Sequence, residues 1–97
     1  MTSCSVQIVN ALGLHARAAA RFVHVASRFA SSIRVSRFGR EMDGKSIMGL
    51  LLLSASQGSS ITIVAEGPDE TEAVAELCAL VERGFDESPA EGAPARS

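Results

Sequence analysis

Apolar residues that alternate with polar ones predict the strands of this chain. Val6 and Ile8 alternate with Ser5 and Gln7, which is the period of a half-buried strand. The same period returns further along the chain, and a Phe-Gly turn between two of the segments indicates a hairpin. We predict four strands, at about Thr2 to Val9, Ile33 to Ser36, Arg40 to Met42 and Ile61 to Glu66.

Helical spacing of apolar residues predicts three helices. The first begins near Ala16 and has two opposite stripes. Its apolar stripe, expected to face the core, is Ala19, Val23, Ala26 and Ala30, and its solvated basic stripe is Arg17, Arg21, His24 and Arg28. A short second helix runs from Ile47 to about Leu53 with Ser46 as its N-cap. The third begins at Asp69, which is spaced from Glu72 as in a capping box, and stops at Gly84.

The elements follow the order βαββαβα, and the strands are too short for a doubly wound parallel sheet. We therefore predict an α+β sandwich in which helices cover one face of an antiparallel sheet. One domain spans residues 1–87. The prolines and small residues at 88–97 predict a flexible tail.

Charge is divided unevenly along a chain whose formal net charge is −2. Residues 1–45 hold seven basic and two acidic groups, whereas residues 46–97 hold two basic and nine acidic groups. A phosphate or an acidic protein surface fits the basic half better than nucleic acid, because Trp and Tyr are absent. No apolar run approaches the ~18 residues of a membrane span, and residues 1–10 lack signal-peptide features, so the expected location is the cytoplasm.

The two cysteines, Cys4 and Cys78, lie far apart and have no Cys or His neighbour at metal-ligand spacing. The sequence therefore predicts no metal site, no disulfide framework and no cofactor. Cys78 lies among the apolar residues of the third helix, so we interpret it as a buried thiol that fills the core.

Gly13-Leu14-His15-Ala16-Arg17 lies where the first loop meets the first helix. His15 at the N-cap would face the exposed N–H groups of the first turn, which favour anions and disfavour an imidazolium ring. The ring is thereby biased towards its neutral, nucleophilic form near pH 7. A phosphoryl group accepted there would also meet the Arg17 guanidinium, which binds phosphate oxygens as a fork.

The sequence around His15 contains no carboxylate and adjoins no metal or nucleotide motif. A hydrolase or a kinase needs such groups to activate water or to orient a metal. A phosphohistidine formed at His15 is therefore expected to persist until an acceptor takes it, which is the behaviour of a carrier rather than an enzyme. The alternative is a loop histidine that only caps the helix. His24 is interpreted as ordinary surface.

Together with Lys45-Ser46-Ile47-Met48-Gly49-Leu50 at the second helix, the motif around His15 resembles HPr, the histidine phosphocarrier family of the bacterial phosphoenolpyruvate-dependent phosphotransferase system. The resemblance covers about residues 3–87. It implies an open-faced sandwich of four antiparallel strands and three helices. It also implies that His15 accepts a phosphoryl group on Nδ1 from Enzyme I and hands it to an EIIA-type protein, with Arg17 assisting. Ala18 replaces the family's usual proline, a departure that would affect the rate of transfer rather than its occurrence.

Ser46 resembles the family's regulatory phosphorylation site, which an ATP-dependent HPr kinase modifies in many but not all bacteria. Helix capping alone would also explain a serine there. The apolar residues that follow suggest a docking patch beside the basic helix. The resemblance implies that Met48 and Leu51 contact partners, with Ala20 across from them. Ile47 belongs to the same patch. For Leu51, packing in the core is the other interpretation. Sugar uptake and nitrogen-related regulation are both open to such a carrier, which we expect to be a monomer.

Two other functions fit parts of the sequence. Gly39 to Ser46 satisfies the P-loop pattern, with a strand before it and a helix after it. Against nucleotide binding, Glu41 and Asp43 would lie among the phosphates, and too few residues remain for the parallel sheet of a P-loop enzyme. The second alternative is a regulatory binding domain of the same topology that transfers no phosphoryl group.

Overall fold

The computed structural model describes residues 1–87, and its elements follow the predicted order βαββαβα. The predicted tail at 88–97 lies outside the described residues. The strands are β1 (Thr2–Gln7), β2 (Ser32–Arg37), β3 (Arg40–Asp43) and β4 (Ser60–Glu66), and the helices are α1 (Ala16–Ala26), α2 (Ile47–Leu52) and α3 (Glu70–Glu82).

The sheet is antiparallel and has the strand order β1-β4-β2-β3. β4 lies between β1 and β2, so Ile61 is opposite Val6 on one side and Ile63 is opposite Val35 on the other. Alternate residues of a strand point to one face, and these four side chains are all buried in the core. The predicted α+β sandwich is therefore confirmed.

The first helix begins at Ala16 as predicted, but its buried face is rotated from the predicted stripe. Its buried residues are Ala18, Ala19, Phe22 and Ala26. Val23 is only partly buried, and Ala30 is exposed because α1 ends at Ala26. Burying the Phe22 ring removes more apolar surface from water than burying Val23, and this sets the rotation of the helix.

The third helix follows Asp69, but the predicted capping box does not form. The Asp69 carboxylate instead accepts hydrogen bonds from the backbone N–H groups of Ala30 and Ser31, both at 2.9 Å. The donors belong to the segment before β2, which only the folded chain brings to this helix. At the other end of α3, Gly84 has φ +71° and ends the helix as predicted.

Cys4 in β1 and Cys78 in α3 form a disulfide, with their Cα atoms 7.0 Å apart. The prediction of a free thiol at Cys78 is therefore wrong. Sequence spacing carried no sign of this pair, because the two residues meet only when α3 packs against β1. Within residues 1–87, no cluster of three or more potential metal-ligating side chains is found. No helix in the same range is long and apolar enough to span a membrane.

The second helix has only six residues, and the β2–β3 hairpin supports its end. The Arg37 guanidinium donates a hydrogen bond to the Leu53 carbonyl at 3.0 Å, and Arg40 donates to the Leu52 carbonyl at 3.1 Å. A helix of this length is not stable alone. Its last turn contains no basic residue, so the hairpin supplies the cations that favour a helix C-terminus.

Candidate functional site

His15 is the N-cap of α1, where its Nδ1 accepts a hydrogen bond from the Arg17 N–H at 3.3 Å. The predicted N-cap position of His15 is confirmed, and the ring turns Nδ1 towards the first turn of the helix. About a quarter of the side chain is exposed, at 25%. This position combines solvent access with the N–H groups that attract an anion.

Gly13 fixes the loop that leads into His15. Its φ of +67° lies in the left-handed region, and a Cβ there would be 2.7 Å from the Ala55 carbonyl oxygen. The next residue, Leu14, donates its N–H to the same Ala55 oxygen at 2.8 Å and buries its side chain. The approach of two backbone segments thus requires glycine, and it holds His15 at the helix start.

A carboxylate from the far end of the domain contacts the other ring nitrogen. Glu87 Oε1 lies 2.9 Å from His15 Nε2, across a sequence separation of 72 residues. The Glu87 side chain is only 4% exposed, and the Asn10 amide donates to the same Oε1 at 2.6 Å. The sequence around His15 contains no carboxylate, and only folding brings one to the ring.

Glu87 nevertheless does not lie where a hydrolase would need a carboxylate, so the argument for a carrier is unchanged. The carboxylate lies on the Nε2 side of the ring, away from Nδ1. It is not placed to activate a water molecule for attack on a phosphoryl group carried by Nδ1. Hydrolysis would require a base on the Nδ1 side.

Phe85 anchors the segment that brings Glu87 to the site. Its position in the sequence could have indicated this contact, which sequence reasoning missed. Its side chain is fully buried, its N–H donates to the Leu80 carbonyl at 2.9 Å, and its own carbonyl accepts from Arg21 at 2.8 Å. An aromatic residue between the end of α3 and the polar tail indicates a segment that folds back onto the domain. Glu87 follows that anchor by two positions in the sequence.

A cavity of about 420 Å³ opens between α1 and the end of α3. The basic face of α1 forms one wall, and this face includes His24, which the sequence analysis had treated as ordinary surface. The cavity is lined by Arg17, Ala20, Arg21, His24, Val25, Leu80 and Asp86. The Arg83 guanidinium donates a hydrogen bond to Asp86 at 2.8 Å and holds the pKa of that carboxyl below its usual range.

Ser46 caps α2, because its hydroxyl accepts a hydrogen bond from the Gly49 N–H at 3.0 Å. Ile47 and Met48, which follow it, are 40% and 70% exposed. Leu51 is partly buried and packs against the core, in line with the other interpretation of that residue.

Exposed apolar side chains therefore follow Ser46 along α2, although not all of them are the predicted ones. Leu52 is 53% exposed and joins them in place of Leu51. Ala20 of α1 is also exposed, and α1 packs against α2. We call Ala20, Ile47, Met48 and Leu52 the apolar patch. Two turns of mostly apolar residues do not define which face is buried, so Leu52 could not be chosen from the sequence.

The segment from Gly39 to Ser46 does not form a phosphate-binding loop. Residues 40–43 are strand β3, which pairs with β2 in an antiparallel hairpin. The Lys45 ammonium donates to the Phe29 carbonyl at 2.8 Å, and the Lys45 N–H donates to Asp43 Oδ1 at 2.9 Å. In a P-loop the backbone N–H groups and the lysine face phosphate, so the structure contradicts the nucleotide-binding alternative.

Comparisons with known proteins agree with this arrangement. The family model described as the PTS HPr component phosphorylation site matches residues 2–83. Phosphocarrier protein HPr of Cupriavidus necator is 49% identical over 80 residues, which cover 82% of this chain and 90% of the relative. Its counterpart in Pseudomonas aeruginosa is 44% identical over 88 residues, with coverages of 90% and 98%.

Solved structures give the same result. HPr-C-His from Thermoanaerobacter tengcongensis matches with a TM-score of 0.87 and 44% identity, covering 91% of this chain and 99% of that chain. A structure described as an HPr dimer from the same organism matches with a TM-score of 0.72 and 45% identity, covering 90% of this chain and 100% of that chain.

Proposed function

The chain belongs to the HPr family of phosphocarrier proteins of the phosphotransferase system, and on that premise we propose that it carries a phosphoryl group on His15. Enzyme I, charged by phosphoenolpyruvate, is the proposed donor, and an EIIA-type protein is the proposed acceptor. The observation that carries the proposal is the direction of the ring, since Nδ1 faces the N-terminus of α1 beside the Arg17 N–H.

The chemistry follows from that direction. The Nδ1 lone pair attacks the phosphorus of the donor's phosphoryl group, the donor's bond to that phosphorus breaks, and a P–N bond to His15 forms. The phosphoryl oxygens then meet the first-turn N–H groups of α1 and the Arg17 guanidinium. Transfer to the acceptor reverses these steps. Each molecule takes up one phosphoryl group and returns to its free form when it passes the group on, so we assign it as a stoichiometric carrier and not as an enzyme.

The apolar patch is the proposed docking surface for both partners. It adjoins the basic face of α1, and acidic partner surfaces would complement that charge. Phosphorylation of Ser46 by a kinase would place charge beside exposed Met48 and so would regulate docking. We further propose that the carrier acts in the cytoplasm. The same chemistry serves sugar uptake and nitrogen-related regulation.

Phosphorylation in a defined mixture tests the proposal. With Enzyme I and phosphoenolpyruvate, intact mass at neutral pH should show one added phosphate that acid removes. His15→Ala should gain none, whereas His24→Ala, which removes a histidine of the same helix, should be labelled. Arg17→Ala should be labelled but should pass the phosphate on more slowly. Labelling of His15→Ala would refute the proposal, and an unlabelled native protein would favour the non-transferring regulatory domain.

Solution mass decides the oligomeric state. We propose a monomer, although at least one solved relative is described as a dimer. Light scattering across a concentration series should give the monomer mass with and without phosphate on His15. A dimer mass at micromolar concentration would overturn this part of the proposal.

A further inference from the structure

We propose that Glu87 is a positioning residue for phosphoryl transfer. Its buried carboxylate holds the proton of His15 on Nε2 and balances the positive charge that the ring gains when Nδ1 is phosphorylated. The inference rests on the proposed function of His15, and it assigns a role in that function to the segment that follows α3.

The two ring contacts together select one tautomer. Nδ1 accepts from the Arg17 N–H at 3.3 Å, and Nε2 faces a carboxylate oxygen at 2.9 Å, which can only accept. A neutral ring with its proton on Nε2 satisfies both contacts, whereas the opposite tautomer satisfies neither. Glu87 therefore helps to keep the Nδ1 lone pair available for attack.

Asn10 holds the carboxylate in place. Its amide donates to Glu87 Oε1 at 2.6 Å and to the Gly13 carbonyl at 2.8 Å, and Asn10 is itself buried, at 8% exposed. The chain of contacts from Asn10 through Glu87 to His15 thus ties the ring to the loop that precedes it. A carboxylate that orients a histidine in this way is the arrangement that fixes tautomers in other histidine sites.

Because Glu87 is buried, its charge interacts strongly with the ring of His15. Its side chain is 4% exposed, and among the described residues Oε2 is buried without a hydrogen-bond partner. A buried carboxylate is costly unless a cation lies beside it. His15 is in ion-pair distance of Glu87, and its ring becomes that cation when it is phosphorylated.

The step balances without a further reactant. When Nδ1 bonds to phosphorus, the neutral ring becomes an N-phosphorylated imidazolium, and Nε2 keeps its proton beside the carboxylate. When the acceptor attacks phosphorus, the P–N bond breaks and its electron pair returns to Nδ1. The ring is neutral again and the Nε2 proton has not moved.

A pair of charge-removing variants tests the role. Glu87→Gln removes the buried charge with little change of shape, and Glu82→Gln removes a charge from the exposed end of α3 as the matched control. We expect Glu87→Gln to lower kcat for phosphoryl acceptance from Enzyme I about tenfold, the lower end of the loss seen when a metal-bound histidine loses its carboxylate partner. KM should be unchanged, because the apolar patch is intact, and Glu82→Gln should match the native protein.

The second readout is the ring itself, which an unrelated structural defect would not alter in a folded protein. With ¹⁵N-labelled histidine at slightly alkaline pH, the native protein should show a His15 Nε2 proton in slow exchange. The signal should be absent from Glu87→Gln. In Glu87→Asp, which keeps a carboxylate, it should be present but weaker than in the native protein. Unchanged melting would show that each variant is folded.

The outcomes separate the two proposals. If native protein is never phosphorylated but the Nε2 proton depends on Glu87, the proposed function fails and the contact stands. Native kcat in Glu87→Gln would overturn the positioning role whatever the ring shows. A lower kcat with an unchanged Nε2 proton signal would overturn the tautomer role, and the loss would then belong to the missing charge alone.

Discussion

Asp69 and Ser31 are bound to each other through both backbone and side chain, although 38 residues separate them. Asp69 accepts hydrogen bonds from the Ser31 N–H at 2.9 Å and from the Ser31 hydroxyl, and the Asp69 N–H donates to Ser31 Oγ at 3.2 Å. Ser31 is 1% exposed. The start of α3 is therefore locked to the segment that enters β2.

Removal of the Asp69 carboxylate should destabilise the fold. Asp69→Ala leaves the buried donors of Ser31 without an acceptor, which is more costly than loss of a solvated hydrogen bond. We expect the Tm to fall by roughly 5 °C or more. Glu72→Gln is the control, because a capping box would need Glu72 and the observed network does not. A larger loss from Glu72→Gln than from Asp69→Ala would contradict this assignment.

Acid should weaken the fold through the same end of α3. Hydrogen bonds from Ser31 and from the Ala30 backbone lower the pKa of Asp69, and the N-terminal ammonium and Thr2 lower the pKa of Glu70 from 4.5 to about 2. Because the pKa of each is lower in the folded chain, their stabilisation is present above the unfolded pKa and is lost as pH falls towards the folded one. Urea unfolding between pH 5 and pH 2 should show this loss.

The contribution of Glu70 to the loss of stability in acid can be measured separately. Glu70→Gln should make the free energy of unfolding less dependent on pH between about 4.5 and 2. Added salt should reduce the contribution in the native protein, because the Met1 ammonium that faces Glu70 at 2.8 Å is exposed. An identical pH profile for native protein and Glu70→Gln would show that Glu70 contributes nothing.

Local patterns located the elements, and long-range contacts decided what their residues do. The sequence marked Asp69 as the start of a helix, and it is, but its carboxylate serves Ser31. His15 was placed correctly because an N-cap depends on its immediate neighbours. Glu87 and the cysteine pair were missed for the opposite reason, since each meets its partner only after α3 has packed.

A negative charge at Ser46 should weaken partner binding and leave the fold intact. Aspartate caps helices as well as serine does, and its charge suits the positive end of α2. The same charge lies next to Met48 in the apolar patch, where docking would have to desolvate it. Ser46→Asp should keep its Tm while KM for phosphoryl acceptance from Enzyme I rises. Ser46→Ala is the control, and it should lose about 1 kcal/mol of stability without the rise in KM.

Native acceptance by Ser46→Asp would mean that Ser46 is a cap alone. It would also place the docking surface away from the apolar patch. A lower kcat at unchanged KM would point to an effect on His15 rather than on association.

The disulfide should make stability depend on the redox state. Cys4 and Cys78 enclose most of the domain, with a sequence separation of 74. In the loop-entropy model, such a link stabilises a chain by about 4 kcal/mol. Oxidised protein should show no reactive thiols in denaturant, and a reducing agent should lower its urea midpoint. Cys4→Ser should be insensitive to the reducing agent, and two reactive thiols in oxidised native protein would contradict the pairing.

Arg37 and Arg40 connect the β2–β3 hairpin to α2, which carries most of the apolar patch that we propose as the docking surface. Guanidinium groups on the β2–β3 hairpin donate to the carbonyls at the end of α2, which also packs against α1. Substitutions in the hairpin would tilt Met48 and Leu52 together without changing either one. Substitution of Arg37 or Arg40 could thus change which partner is bound, although neither residue belongs to the apolar patch.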